Sequence, residues 1–260
     1  MVVLRSILII YFICSAFTNA APLEEPYAPS PPTLDELLKF EQEPYEEATI
    51  CTTNENPTQS LNGIIGEQFR WKNFNIKIDP AFNEQDNKRI QGGLYKLMKA
   101  LPCVKMGVFR PDSEPSGDYV FVRKGEKDSG CFSKVGRLGD KQIINLESPG
   151  CMHIGTVMHE MIHSLGFYHE QSRPDRDDYV NIIWENISPG MESQFKEYST
   201  SKVTTYGVPY NLQSIMHYGS TAFSKNGKPT IEAKNGGKVG SQGKLQQTDI
   251  RKLNLMYKCP

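Results

Sequence analysis

Only five histidines occur in this 260-residue sequence, and three of them, His159, His163 and His169, fall in one run, HEMIHSLGFYH (159–169). Imidazole nitrogen is a favoured zinc ligand, and residues four apart on a helix are separated by about 400°, one turn along the same face. The spacing therefore predicts that His159 and His163 share one ion. Glu160, about 100° round from His159, is too crowded to join them as a ligand. It is placed to touch a water on that ion, which is the position of a general base. His169 does not fit a continuous helix, where it would lie about 15 Å from His159 along the axis and off the shared face. Gly166 removes the difficulty, because glycine takes the left-handed conformation that ends a helix and turns the chain back. The run then matches H-E-x-x-H-x-x-G-x-x-H. Three protein ligands leave coordination open for water, the catalytic arrangement, and the chemistry expected is hydrolysis of a peptide bond. Glu185, 22 positions after His163, is an alternative third ligand, but choosing it leaves Gly166 and His169 without a role. His153 and His217 lack ligand spacing and are expected to be structural.

The elements that must carry these residues are readable in outline. FNIKI (74–78) alternates apolar and polar residues as a strand does. Asn83 is a plausible cap for a helix in which Ile90, Leu94, Leu97, Met98 and Leu101 recur at helical spacing, weakened but not broken by Gly92-Gly93. DYVFVR (118–123) and QIINL (142–146) are β-prone, TVMHEMIHSLG (156–166) is a helix stopped by glycine, and QTDIRKLNLMY (247–257) is a helix capped by Thr248 or Asp249. Between about 178 and 247 regular patterning fades. The fold class expected is α+β, with a sheet-bearing first lobe and an irregular second lobe ending in a helix.

The start of the chain reads differently. Arg5, the short apolar run SILIIYFICSAF (6–17) and TNA (18–20) form a secretory signal over residues 1–20. No later run is apolar and long enough to cross a bilayer, so a secreted, extracellular product free of the membrane is expected. Residues 21–61 carry nine acidic residues against Lys39 alone, whereas residues 62–260 carry 27 basic and 21 acidic ones. An acidic, proline-rich stretch before a mildly basic domain is either a disordered tail or a propeptide covering a site, and the metal motif favours the propeptide. The mild positive balance lacks the basic, aromatic-interleaved stripe of a nucleic-acid binder. Cys103, Cys131, Cys151 and Cys259 can close two disulfides in three ways, leaving Cys51 over in the acidic segment. NIS (186–188) is a glycosylation sequon followed by Pro189.

HEMIHSLGFYHEQSRPDRD (159–177) and SIMHYG (214–219) together resemble the signature and Met-turn of the astacin family of metzincin endopeptidases, and the similarity runs from about Asn62 to Cys259. The resemblance implies a two-lobed zinc peptidase whose first lobe holds a twisted, mostly parallel sheet and two long helices. It implies one catalytic zinc on His159, His163 and His169, Glu160 as base, and Met216 as an apolar floor. Tyr218 would stabilise the tetrahedral intermediate. It also implies disulfides Cys103–Cys259 and Cys131–Cys151. SGCFSKVGR (129–137) would be the edge strand that substrate joins, with Phe132 and Lys134 where relatives often carry aromatics. NGIIGEQFRW (62–71) resembles the mature N-terminus, whose amine would pair with Glu170.

The propeptide departs from the family pattern. The latency motif F-x-G-D has only FEQE (40–43) as a counterpart, with Gln42 for glycine and Glu43 for aspartate. Either Cys51 supplies a thiolate to the zinc in its place, or it is a cysteine left unpaired or paired between molecules. Ser60-Leu61 precede Asn62, so a trypsin-like cut is not indicated. The expected product is a monomeric secreted endopeptidase made as a latent zymogen, acting on proteins or peptides after an activating protease has cut it. A secreted binding protein that keeps the zinc without cleaving is the rival reading, and the presence of Glu160, all three histidines and Tyr218 argues against it. An extracellular structural module would not need an open metal site.

Overall fold

The computed structural model describes residues 26–27, 32–42 and 62–260. The signal-like residues 1–20, Glu43 and Cys51 lie outside the described residues. Eleven named strands and helices lie within them: α1 Leu34–Gln42, β1 Asn73–Ile78, α2 Glu84–Ala100, β2 Lys105–Val108, β3 Tyr119–Gly125, β4 Cys131–Ser133, β5 Lys141–Glu147, α3 Ile154–Ser164, β6 Val180–Ile182, β7 Ile231–Ala233 and α4 Gln247–Met256.

The five-stranded sheet has the order β2-β1-β3-β5-β4. The first four strands run parallel, and β4 joins β5 antiparallel at the edge, pairing Phe132 with Asn145. Alternation in β1 buries Phe74, Ile76 and Ile78 against the core. Strand β2 is not evident in the sequence: four residues including Gly107 carry too little pattern to separate from a loop. Helix α2 starts where Asn83 predicts, its side chain accepting from the Asp86 amide at 2.8 Å. Its apolar stripe of Ile90, Leu94, Leu97 and Leu101 is fully buried. The Gly92-Gly93 pair has a packing role. A Cβ on Gly93 would stand 2.9 Å from Val157 Cγ1, so this glycine lets α2 approach α3 closely.

The two disulfides pair as the resemblance implies, Cys103–Cys259 and Cys131–Cys151. The second lobe holds the short antiparallel pair β6–β7, Val180 opposite Ala233, for which the sequence carries no clear signal. Its own apolar cluster includes Val180, Ile187, Phe195, Tyr210, Tyr218 and Ile231. Helix α4 begins earlier than either Thr248 or Asp249 as a cap would allow. Gln246 is its N-cap and Asp249 its third helical residue, and the Asp249 carboxylate accepts from the Gln246 amide at 3.0 Å. A carboxylate at that position caps backward, so Asp249 belongs to the capping box without being the N-cap. In the sequon, the Asn186 side-chain nitrogen that a glycan would take already donates to the Pro229 carbonyl at 2.7 Å.

Candidate metal centre

Helix α3 is buried along its whole length and carries His159, Glu160 and His163. It starts at His153, whose Nδ1 accepts from the Gly155 amide at 3.0 Å, a structural role as expected. It ends in a Schellman motif. The Phe167 amide donates to the Ile162 carbonyl at 3.1 Å, and the Gly166 amide to the His163 carbonyl at 2.8 Å. Gly166 has φ +114, a conformation L side chains rarely adopt, and a Cβ there would lie 3.1 Å from Ile64 Cγ2 and 3.3 Å from Met256 Sδ. The other helix-end carbonyls are also satisfied. Ser164 accepts from Trp71 Nε1 at 2.8 Å, and Leu165 from the Tyr257 hydroxyl at 2.9 Å.

That reversal brings the third histidine back. His169 Nε2 lies 3.2 Å from both His159 Nε2 and His163 Nε2. Tetrahedral zinc with bonds of about 2.0–2.1 Å needs its nitrogen ligands about 3.3–3.4 Å apart, so the three fit one ion. The tautomers of the two helix histidines are set from outside. His159 Nδ1–H donates to the Ile215 carbonyl at 2.7 Å and His163 Nδ1–H to the Phe167 carbonyl at 2.6 Å, leaving each Nε2 lone pair facing the common point. Burial lowers His159 to about 4 and holds His163 and His169 well below the ordinary imidazole range, which favours the neutral, ligating form. Glu160 is fully buried on the same helix, and Glu185 is exposed on a single 3₁₀ turn, so the alternative third ligand is set aside.

The carbonyl that orients His159 comes from the second lobe. The turn at 211–217 hangs on Asp249 of α4, which accepts from Ser214 Oγ at 2.5 Å and from the Ile215 amide at 3.0 Å. Ile215 is the residue whose carbonyl orients His159, so Asp249 acts on the histidine through this turn. Met216 is buried, and its carbonyl accepts from the Glu170 amide at 2.8 Å. Tyr218 stands beside the triad, its ring centroid 4.3 Å from that of His169. The hydroxyl of Tyr210 donates to His217 Nε2 at 2.7 Å, which makes His217 structural.

Residues 64–258 match the model of the peptidase family described as astacin. The chain belongs to the astacin family. It is 44% identical over 211 residues to zinc metalloproteinase nas-13 of Caenorhabditis elegans, covering 77% of this chain and 45% of that one. Zinc metalloproteinase nas-7 of the same organism is 40% identical over 202 residues, 76% of this chain and 51% of the relative. The chain thus spans about half the length of the curated relatives it matches. Among solved structures, high choriolytic enzyme 1, a hatching-enzyme zinc protease of Oryzias latipes, superposes with a TM-score of 0.69 at 29% identity. That match covers 76% of this chain and all of the other. The astacin domain is a zinc metallopeptidase domain by family, and its triad has the geometry for the one zinc that implies.

Around Glu170 the astacin domain holds a buried charge network that no local sequence pattern marks. Glu170 Oε1 accepts from Arg173 at 3.0 Å and from the Asn211 amide at 3.1 Å. Its Oε2 faces the Lys252 ammonium and accepts from the Asn62 side-chain amide at 2.9 Å. Burial pushes this carboxyl up, but Lys252 and Arg173 more than offset that and hold it below the usual carboxylate range. Asn62 also accepts from the Tyr168 amide at 2.7 Å through its carbonyl, so residues 62–64 run beside the chain reversal and brace it. In this uncut chain it is the Asn62 side chain, with Lys252, that occupies the acid expected to receive a freed amine.

Proposed function

We propose that this chain is a secreted zinc endopeptidase made as a latent zymogen, with residues 1–20 as signal, 21–61 as propeptide and 62–260 as catalytic domain. His159, His163 and His169 hold the metal, and the observation that carries this reading is their convergence through the Gly166 reversal. Zinc, when bound, polarises the scissile carbonyl and draws the pKa of a water down toward about 7. Glu160 takes the proton of the attacking water and passes it to the leaving amine. Its place one residue after His159 on the buried helix α3 supports this role. Tyr218 donates its phenol to the oxyanion of the tetrahedral intermediate, and its position against the His169 ring supports that role. Strand β4, antiparallel at the sheet edge and followed by a link from the Gly136 amide to the His163 carbonyl at 2.9 Å, supports binding of substrate as an added strand near the metal.

The test is hydrolysis of a denatured protein by the chain cut before Asn62, with and without chelator, beside Glu160→Gln. Internal cleavage by the parent, abolished by chelator and reduced at least about a thousandfold by the substitution, is expected. Undiminished cleavage by Glu160→Gln overturns the mechanism, and no cleavage by the cut parent favours a zinc-holding binding protein.

A further inference from the structure

The described part of the acidic segment has a docking place of its own, at the sheet edge opposite β4. Tyr27 forms an antiparallel bridge with Val108 on the free side of β2, the Tyr27 amide donating at 3.0 Å and the Val108 amide at 2.7 Å. The surface of β2 is shaped for this contact. A Cβ on Gly107 would lie 3.0 Å from Pro26 Cβ and 3.1 Å from the Tyr27 carbonyl oxygen.

Helix α1 follows and lies on α2. Its start is closed by reciprocal capping, Thr33 donating its amide to Glu36 at 2.9 Å while the Glu36 amide donates to the Thr33 hydroxyl at 3.2 Å. Phe40 is 5% exposed. Its ring lies 3.6 Å from where a Cβ of Gly92 would stand, with the Arg89 guanidinium 5.9 Å from its centroid. Lys88 reaches Glu36 at 3.4 Å and Glu84 at 3.1 Å, fixing the helix from its exposed side. A surface-loving acidic stretch thus has an aromatic anchor and a paired edge that Gly107 admits. None of these contacts involves the three histidines.

We propose that residues 26–42 are a ligand of the catalytic domain in their own right. Cutting the chain before Asn62 then leaves the acidic segment bound at α2 and β2, and its release is an event separate from the cut. The inference rests on the reading of residues 21–61 as a propeptide. It differs from latency at the metal, because it assigns retention to a surface that chelation does not touch. The apolar anchor dominates: loss of a buried phenyl ring corresponds to about 10–100-fold in affinity, whereas an exposed ion pair such as Lys88–Glu36 changes it about fivefold at most.

The experiment uses the full chain with a specific-protease site placed between residues 55 and 60. After cutting, the protein is passed through size exclusion with and without chelator, and peptide hydrolysis is followed in parallel. The fragment containing residues 26–42 is expected to co-elute with the domain under both conditions, and Phe40→Ala is expected to let it separate. Separation of the parent fragment at once, or only after chelator is added, overturns the proposal. So does a Phe40→Ala fragment retained as tightly as the parent. If residues 21–61 are no propeptide, cutting leaves hydrolysis unchanged while retention still decides the docking question.

Discussion

The two lobes hold the same three histidines by different means. In the first, His159 and His163 ride on a helix whose backbone bonds are internal and whose end is closed by a glycine reversal. In the second, the chain from Glu170 to Met216 has little regular structure, and buried acidic side chains supply the hydrogen bonds that strands and helices supply elsewhere. Glu170 serves the Asn211 amide, and Asp249 serves those of Ile215 and Gln246. Where backbone pairs with backbone, a single side chain matters modestly. Where a buried charge substitutes for secondary structure, removing it leaves several groups without partners at once.

That contrast breaks most visibly at Glu170. Glu170→Gln strips one of the compensating charges from Lys252 and from Arg173, which are 2% and 1% exposed and keep only Asp249 at 3.8 Å and Asp175 at 2.7 Å. A loss of about 3–5 kcal/mol in unfolding free energy is expected by denaturant titration. At the junction of the lobes, Gly166→Val forces a β-branched residue to φ +114 against Ile64 and Met256. About 2–4 kcal/mol of destabilisation is expected, with zinc affinity falling as His169 is displaced, read by competition with a chromogenic chelator. In the regular lobe, Asn83→Ala removes only the cap of α2. It should cost about 1 kcal/mol in the same titration and leave zinc content unchanged. Equal losses for Glu170→Gln and Asn83→Ala would erase the distinction between the lobes.

What the sequence reveals follows the same division. The helix, its two ligands, the base and the reversal at Gly166 are legible because each depends on residues within one or two turns. The strand alternation of β1 and the cap at Asn83 are local in the same sense. Asp249 is not legible as a support of His159, because it acts from 34 positions beyond Ile215 through a turn with no periodic signature. Lys252 and Glu170 are 82 positions apart, and nothing in either neighbourhood marks them as a pair. Gly92-Gly93 shows the limit differently. Propensity reads the pair as weakness in α2, whereas packing uses both to admit α3, Gly93 against Val157 and Gly92 against Ile154. The pairing of Cys103 with Cys259 and of Cys131 with Cys151 is implied by family likeness alone, since spacing leaves three connectivities open.

The turn at Gly166 closes a third imidazole onto the metal, and X-ray absorption at the zinc edge of the cut, active chain tests this most directly, with His169→Ala as the comparison. Three imidazole nitrogens at about 2.0–2.1 Å in the parent and two in the variant are predicted. A parent spectrum with only two imidazoles, or one unchanged by His169→Ala, would contradict the three-histidine site.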